Sequence, residues 1–297
     1  MNIAVLPNRA PSSLVENAEF SFTAKDLSII ANIMMKETGI ALAESKANLV
    51  YSRLAKRIRK LGLEGFRDYC LLVETPQGAE ERKQMVAALT TNVTRFFRES
   101  HHFEHLRNKL LPHLIQRAKA GQRIRLWSAA CSSGPEPYSI ALTLLQDFPE
   151  AGRFDIRILA TDIDPNVLAE AQAGIYDDSQ LSPVPGSMRQ SWFKALNDGS
   201  GNWQATDELR QLISFRQLNL IGNWPMKGQF QAIFCRNVVI YFDNPTQERI
   251  WSRFLPLLED KGALYIGHSE RISGIAEQRF TNDGVTIYRA HTTGGFN

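Results

Sequence analysis

The sequence predicts an all-helical domain followed by an α/β domain that is built on a mostly parallel sheet and carries a small inserted subdomain. Three observations support this fold class. Apolar residues recur at helical spacing from Thr23 to about Leu89, strand-like and helical segments alternate after residue 120, and a stretch with several prolines and glycines interrupts them at 174–210. Alternating strands and helices of this length are typical of parallel sheets with right-handed crossovers.

The first part of the chain divides into a leader and a helical domain. Residues 1–20 are rich in proline, serine and asparagine and lack an apolar period, so we interpret them as a loose leader; the helical domain covers 21–90. Thr23, three residues before an aspartate, predicts a capping box at the start of the first helix. Gly39 and Gly62 are typical of helix C-caps, because glycine tolerates the left-handed conformation.

Alternating strand-like and helical segments make up the second domain, which we assign to residues 91–297. The predicted strands are Arg123–Trp127, Phe154–Thr161, Ile213–Leu218, Gln231–Cys235, Ala263–Ile266 and Val285–Tyr288. The predicted helices between them are Tyr138–Phe148, Val167–Ala173 and Thr246–Leu258. The stretch between the second of these helices and the third strand is too long for an ordinary loop. We therefore expect the inserted subdomain over about 174–212.

Composition excludes several classes of protein. The chain has 297 residues, of which 43% are hydrophobic and 22% charged, as in ordinary soluble globular proteins. The longest apolar runs, such as Val238–Phe242, are far shorter than the roughly 20 residues of a membrane span, and the N-terminus lacks the basic region of a secretory signal. Three separated cysteines without a C-x-x-C pair argue against disulfides and a cysteine zinc site. We expect a cytoplasmic protein that does not insert into the membrane.

Candidate ligand-binding residues follow the first two strands. In a parallel sheet, ligands bind at the carboxyl ends of the strands, and the first strand runs into a turn of small residues, Ser128–Gly134. Asp162 ends the second strand, where a carboxylate can accept hydrogen bonds from both hydroxyls of a ribose. Glu136, in the first turn of the next helix, would repel a pyrophosphate and attract a sulfonium or amino group, which favours S-adenosylmethionine over NAD.

Each of these features also has a purely structural explanation. The small-residue segment is compatible with a tight turn that binds nothing. The acidic segment after the second strand supplies a helix N-cap through Asp164 alone. Glu136 is an acid of the kind that the helix dipole favours in a first turn.

Three longer segments carry a resemblance to a known family. They are Thr91–Glu99, Leu126–Ser139 and Ile233–Phe242, followed by Gly267-His268-Ser269-Glu270. Together they resemble the chemotaxis receptor methyltransferases of the CheR type, in the same order and behind a helical domain, over roughly residues 23–290. The resemblance implies a Rossmann-like, S-adenosylmethionine-dependent methyltransferase domain, and it implies that the inserted subdomain is a small β-subdomain.

The resemblance also implies an activity and a set of site residues. Members of this family methylate glutamate side chains on the cytoplasmic helices of methyl-accepting chemotaxis receptors, and they form methyl esters and S-adenosylhomocysteine. The implied catalytic residues are Arg98 and Tyr241, the latter near the transferred methyl group. The implied cofactor contacts are Asn92, Thr94, Arg98, Ala130, Glu136, Asp162, Asn219, Leu220, Arg236 and Asn237. Pro135 replaces the first of two acids usual in the family, and proline suits the first turn of a helix.

The expected chemistry requires positioning rather than a base. A glutamate side chain has a pKa of about 4.3 and is ionised at neutral pH, so it needs no general base to act as a nucleophile. Holding it in line with the methyl group contributes up to roughly 7–11 kcal/mol. Arg98 has two open roles, orienting that carboxylate or holding the carboxylate of the cofactor. A surface ion pair with Glu99 or another neighbour is its structural alternative.

A run of positive charge marks the second predicted helix. Residues 46–60 hold six lysines and arginines and no acid. Such a run is often only a solvated helix face. Because the methylation helices of chemoreceptors are acidic, we also consider it a docking surface that steers association. The residues predicted to form this surface are Arg53, Lys56, Arg57, Arg59 and Lys60.

Other side chains receive structural predictions. His101, His102 and His105 have a spacing that could bind a metal, but we find no fourth ligand nearby and predict helix-surface histidines and no metal site. Phe96 and Phe97 are expected in the core. The role of His268 stays open.

Two other functions stay open. A nucleic-acid methyltransferase would share the cofactor fold, but we find no Asn-Pro-Pro-Tyr-type motif and no strongly basic half, so nucleic acid is not an expected partner. A non-catalytic module that senses S-adenosylmethionine is the second alternative. The expected partners are the chemoreceptors, with the inserted subdomain as a site for a tethering peptide at a receptor C-terminus. We expect a monomer.

Overall fold

The computed structural model describes residues 13–90 and 92–291, and the chain forms two compact units that divide between Thr90 and Thr91. Residues 1–12 of the predicted leader lie outside the described residues. Its remaining residues form turns and bends, and the backbone N–H of Leu14 donates to the carbonyl of Phe22 at 2.7 Å.

The first unit is all-helical. Its helices are α1 (Ala24–Thr38), α2 (Ala47–Leu61), α3 (Phe66–Glu74) and α4 (Ala79–Leu89). The predicted capping box is confirmed, because the Thr23 side chain accepts from the backbone N–H of Asp26 and the Asp26 side chain accepts from that of Thr23. Gly39 and Gly62 end α1 and α2 with φ values of 76° and 67°, as predicted.

A polar network lies inside this helical unit. The guanidinium of Arg57 on α2 donates to both carboxylate oxygens of Glu81 on α4, at 2.9 and 2.6 Å. The Tyr69 hydroxyl on α3 donates to the same carboxylate at 2.8 Å. Glu81 is buried, so these bonds join three helices through one acid that would otherwise be costly to remove from water.

The second unit contains the remaining elements. Its helices are α5 (His101–His105), α6 (Leu111–Lys119), α7 (Pro135–Asp147), α8 (Pro165–Ala173), α9 (Asp178–Leu181), α10 (Gly186–Trp192), α11 (Asp207–Gln211) and α12 (Asn244–Phe254). Its strands are β1 (Ile124–Ala129), β2 (Ile156–Asp162), β3 (Ile175–Tyr176), β4 (Phe193–Ala195), β5 (Trp203–Ala205), β6 (Ile213–Gln217), β7 (Phe230–Cys235), β8 (Leu258–Ile266), β9 (Phe280–Gly284) and β10 (Ile287–Ala290). A π-helical turn, Leu106–Leu110, joins α5 to α6.

Seven strands form the main sheet in the order β6-β2-β1-β7-β8-β10-β9. Strands β6, β2, β1, β7 and β8 are parallel, and β10 and β9 extend the sheet antiparallel. The strand order reverses between β1 and β7, which is the position where ligands bind in such sheets. The predicted mostly parallel α/β fold is therefore confirmed.

The insertion lies between α8 and β6. It contains a three-stranded antiparallel sheet in the order β3-β5-β4. The guanidinium of Arg189 lies over the ring of Trp203, 4.0 Å from its centroid. The predicted β-subdomain is therefore present, although its three short strands carry too little periodicity to be located individually from the sequence.

All six predicted strands are present, with shifts at their ends. The largest shift is at the fifth strand, predicted at Ala263–Ile266 and observed as β8, which already begins at Leu258. The last strand, predicted at Val285–Tyr288 and observed as β10, is shifted by two residues, because Val285 and Thr286 form the turn that follows β9. The edge strand β9 was not predicted, since its residues Thr281, Asn282 and Asp283 are polar and exposed. Phe96 is buried in the core as predicted, whereas Phe97 is half-buried. Among the described helices, none is long and apolar enough to cross a bilayer.

We predict that Glu81→Gln lowers the free energy of unfolding by about 2 kcal/mol, because it leaves Arg57 without its carboxylate partner. Urea unfolding of the full chain, followed by circular dichroism, measures this loss. The matched control is Glu80→Gln, since Glu80 is exposed and pairs with Lys83, which is also exposed; its effect should stay within about 0.5 kcal/mol. Equal effects of the two substitutions would contradict the role given to Glu81.

Candidate active site

Strained turns follow two adjacent strands, β1 and β7, at the carboxyl edge of the sheet. Ala130 and Ser132, after β1, have φ values of 65° and 51°, and Asn237, after β7, has a φ of 60°. Non-glycine residues adopt this conformation at a cost of about 1–3 kcal/mol, and such residues cluster at functional sites. The predicted site residues Ala130 and Asn237 are therefore held in an unusual backbone geometry by their surroundings.

Asp162 joins the ends of β1 and β2. One of its carboxylate oxygens accepts the backbone N–H of Ser132 at 2.8 Å, and the other accepts that of Asp164 at 3.0 Å. The side chain is buried, and burial raises the pKa of Asp162. Since a carboxylate oxygen has two lone pairs, each oxygen retains acceptor capacity for a further donor such as a hydroxyl.

Asn92 is held at the same edge. Its side-chain amide donates to Asp164 at 3.1 Å, and its carbonyl accepts from the Ser132 hydroxyl at 2.9 Å. Asp164 also caps α8 by accepting the backbone N–H of Asn166 at 2.8 Å. The N-cap role considered from the sequence is thus confirmed for Asp164. Asp162 is not needed as the cap and instead binds the turn after β1.

Arg236 is buried between two carboxylates. Its guanidinium lies 3.0 Å from Glu136 and 3.4 Å from Glu99, and it donates to the carbonyl of Arg98. The second oxygen of Glu136 accepts from the Ser128 hydroxyl at 2.7 Å. The cation in contact with Glu136 is therefore Arg236. Because Arg236 already balances the negative charge of Glu136, this acid supports a cationic ligand less strongly than the sequence alone indicates.

The two carboxylates respond differently to their surroundings. Burial acts to raise the pKa of Glu99, but Arg236, a hydrogen bond to His268 and further neighbours outweigh it and lower that pKa to about 2. Burial dominates at Glu136 and raises its pKa, although Arg236 and Ser128 act in the opposite direction. Glu99 is therefore firmly ionised at neutral pH.

The other predicted contacts lie on the same loops. Arg98 donates to the carbonyl of Val93 at 3.2 Å, and Thr94 is half-buried between them in the sequence. Glu99 pairs with Arg236 and His268, which replaces the surface pair considered for Arg98. Three residues follow the ends of strands β6 and β7: half-buried Asn219, buried Leu220, and Tyr241, which is 36% exposed on the short 3-10 turn Val239–Tyr241.

One important residue received no role from the sequence. Glu270, in the loop after β8, is buried and accepts backbone N–H groups from Asn237, Val238, Val239 and Gly267. The sequence feature that points to Glu270 is the segment Gly267-His268-Ser269-Glu270, which forms part of the family resemblance but assigns no role to this acid. Three of its four hydrogen-bonding partners lie 31 to 33 positions earlier in the chain, so these contacts depend on the pairing of β7 with β8.

The carboxyl edge carries an acid at the end of β2, a buried ion-pair cluster after β7 and strained turns between them. This donor and acceptor set fits a nucleoside with a charged amino-acid tail, and thus S-adenosylmethionine. The model of the CheR methyltransferase SAM-binding domain matches residues 92–289, and that of the all-alpha domain matches 25–90.

The chain belongs to the CheR methyltransferase family. Its second unit is an S-adenosylmethionine-binding domain, and the resemblance found in the sequence is confirmed.

Three CheR relatives illustrate the similarity. A Rhizobium etli protein named "Probable chemotaxis protein methyltransferase" is 56% identical over 88% of this chain and 98% of its own length. Chemotaxis protein methyltransferase 2 of Pseudomonas aeruginosa is 42% identical over 95% of this chain and 99% of its own. The chemotaxis protein methyltransferase of Escherichia coli is 41% identical over 87% of this chain and 88% of its own.

The prediction of surface histidines in this CheR chain is wrong for His102, which is fully buried. Its Nε2 lies 2.9 Å from the Thr286 hydroxyl, because α5 packs against the turn before β10. One potential ligand atom each from Glu99, His101 and His102 lies within 4.8 Å of the others. However, Arg236 lies 3.4 Å from Glu99, and its positive charge would repel a divalent cation there.

His105 is also largely buried rather than on the surface. Its Nδ1 lies 3.0 Å from the Tyr265 hydroxyl, and its Nε2 lies 3.0 Å from a carboxylate oxygen of Asp283. Burial lowers the pKa of His105, although Asp283 acts in the opposite direction. His105 therefore contacts strands β8 and β9 of the sheet and does not belong to the group formed by Glu99, His101 and His102.

We predict that the buried His102 makes the protein sensitive to mild acid. Burial, and next the charge of Arg236, lower the pKa of His102 from 6.5 to about 3, although Glu99 acts in the opposite direction. Below pH 6.5 His102 therefore binds a proton in the unfolded chain but not in the folded chain. As a result, the free energy of unfolding falls as the pH decreases from about 6.5 towards 3. Urea unfolding between pH 7.5 and 5 measures this slope.

His102→Gln should make that slope shallower by up to about 1.4 kcal/mol per pH unit. The control is His113→Gln, since His113 is exposed; it should leave the slope unchanged. Parallel pH profiles of the native protein and the His102 variant would contradict the prediction.

Proposed function

We propose that the protein transfers a methyl group from S-adenosylmethionine to glutamate carboxylates on the cytoplasmic helices of chemoreceptors. Membership of the CheR methyltransferase family supports the methyltransferase activity, and the names of the relatives support a role in chemotaxis. The proposed products are glutamyl methyl esters and S-adenosylhomocysteine.

A carboxylate acceptor is favoured because the acids at the site already have hydrogen-bonding or ionic partners. Glu99 and Glu136 are paired with Arg236, while Asp162 and Glu270 accept backbone N–H groups. Acids held in this way are poorly placed to remove a proton from a substrate. A glutamate nucleophile needs no such removal, because it is ionised at neutral pH.

The bound cofactor supplies a methyl group made electrophilic by a sulfonium. The task left to the chain is to hold the attacking carboxylate in line with that group and to exclude water. Arg98 is our candidate for orienting a carboxylate, since a guanidinium binds one through two parallel hydrogen bonds. We propose that Tyr241, which is partly exposed after β7, lies near the transferred methyl group. The ten cofactor contacts implied by the resemblance remain part of this proposal.

The docking hypothesis is narrowed by the side chains on α2. Arg53 donates to the carbonyls of Ala88 and Thr90, and Arg57 is bound to Glu81, so both serve the helical unit itself. The other three predicted cations are exposed: Lys56, Arg59 and Lys60. Arg59 also pairs with the exposed Glu19 at 2.9 Å. We propose that these three steer the acidic receptor helices towards the enzyme.

Other partners follow from the same proposal. We retain the hypothesis that the β-subdomain holds a C-terminal tethering peptide of the receptor; its strands β3 and β4 lie at the edges of the small sheet, where an added strand can pair. We also propose that the enzyme works as a cytoplasmic monomer, without nucleic acid as a partner and without inserting into the membrane.

We predict that the double substitution Lys56→Glu and Lys60→Glu lowers the rate of receptor methylation by about tenfold at low salt, because it reverses the attraction that steers association. The effect should weaken at high salt. The affinity for S-adenosylmethionine, measured by calorimetry, should not change. The control carries Lys25→Glu and Lys36→Glu, two exposed lysines on α1; a rate loss in the control of the same size would contradict the assignment.

The proposed activity is tested with methyl-labelled S-adenosylmethionine, the purified protein and membranes that contain chemoreceptors. We expect label on the receptor that mild base releases as volatile methanol, because methyl esters are base-labile. Cofactor binding without label on any receptor would indicate a different substrate or a sensor module. Base-stable label on nucleic acid, with binding that weakens steeply with salt, would indicate the nucleic-acid alternative.

A further inference from the structure

Glu270 is bound in an unusual way. Its side chain is buried, and one carboxylate oxygen accepts the backbone N–H groups of Asn237 at 2.9 Å and Gly267 at 2.5 Å. The other oxygen accepts those of Val238 at 2.9 Å and Val239 at 2.8 Å. A single carboxylate thus satisfies three successive N–H groups of one turn and one of its own loop.

These N–H groups have no strand or helix to bond to. Those of Asn237, Val238 and Val239 come after β7 and precede or begin the 3-10 turn Val239–Tyr241, and that of Gly267 comes directly after β8, so secondary structure supplies no acceptor for them. An unsatisfied buried N–H group is costly, and the left-handed Asn237 adds strain. The geometry of this turn therefore depends on the Glu270 carboxylate.

Gly267 keeps the two loops in close contact. A Cβ atom at this position would lie 2.4 Å from the side-chain nitrogen of Asn237 and 2.8 Å from its backbone nitrogen. Such distances are too short for a non-bonded contact of a carbon atom. The loop after β8 can therefore hold the turn after β7 only while residue 267 is glycine and residue 270 carries an acceptor.

The turn carries the residues on which the proposed site depends. Arg236 and Asn237 are proposed cofactor contacts, and Tyr241 lies at the end of the 3-10 turn whose first N–H bonds to Glu270. A displacement of this turn would move all three side chains together. Since binding and transfer tolerate only small errors in position, it would weaken both.

We infer that Glu270 is a positioning residue for the methyl-transfer site: its carboxylate, which we place in contact with neither cofactor nor substrate, sets the turn that presents Arg236, Asn237 and Tyr241. This inference rests on the proposed roles of those three residues. Its test uses cofactor binding alone, so that its failure is distinguishable from a wrong receptor or substrate.

The test compares Glu270→Gln with Glu277→Gln in the full-length protein. Glutamine keeps the shape of the side chain, but its amide NH2 group replaces the oxygen that accepts two of the four N–H groups. Glu277 serves as the control because it is exposed and contacts Arg271. Calorimetry gives Kd for S-adenosylmethionine at a temperature where circular dichroism shows both variants folded. We expect Glu270→Gln to raise Kd by about tenfold or more, and Glu277→Gln to leave it within about twofold.

A second variant separates positioning from simple loss of stability. Gly267→Ala retains the carboxylate and displaces Asn237, so it should also raise Kd, even if Glu270→Gln fails to fold. A lowered melting temperature with Kd unchanged within about twofold, in either folded variant, would show that Glu270 and Gly267 serve stability only and would overturn the inference. A raised Kd in the Glu277→Gln control would also overturn it, since the effect would then not be specific to the turn.

Discussion

A buried guanidinium shared by two carboxylates holds the carboxyl edge of the sheet together. Arg236 lies between Glu99 and Glu136, and the remaining oxygens of these acids bind His268 and Ser128. Burying any one of these charges alone would cost several kcal/mol, so each requires the others. Because the three side chains come from the loop before α5, the first turn of α7 and the turn after β7, their pairing holds three separate segments in one arrangement.

Two further acids extend this principle to the backbone. Asp162 accepts the N–H groups of Ser132 and Asp164, and Glu270 accepts those of the turn after β7. Irregular turns at the ends of parallel strands leave such groups without partners, and a buried carboxylate satisfies several at once. The acids of this site therefore serve mainly to shape it, which suits the proposed reaction, since a carboxylate nucleophile needs orientation rather than a base.

The positively charged residues of α2 in the helical unit have two different roles. On α2, Arg53 and Arg57 point to partners within the unit, whereas Lys56 and Lys60 remain exposed. Arginine suits the first role because its planar group makes several directed hydrogen bonds, and lysine suits the second as a hydrated point charge. Only the exposed members are available to attract an acidic partner.

The sequence by itself determined the helical first domain, the sheet class and the family, because periodicity, helix caps and long motifs are encoded by residues close together in the chain. The capping box at Thr23 and proline at the first turn of α7 are examples. Only the tertiary structure decided which charges meet: Glu136 and Arg236 are 100 positions apart. It also decided that His102 is buried and that Glu270 reaches the turn after β7. The physical reason is that such contacts depend on the order and register of the strands, which no local pattern specifies.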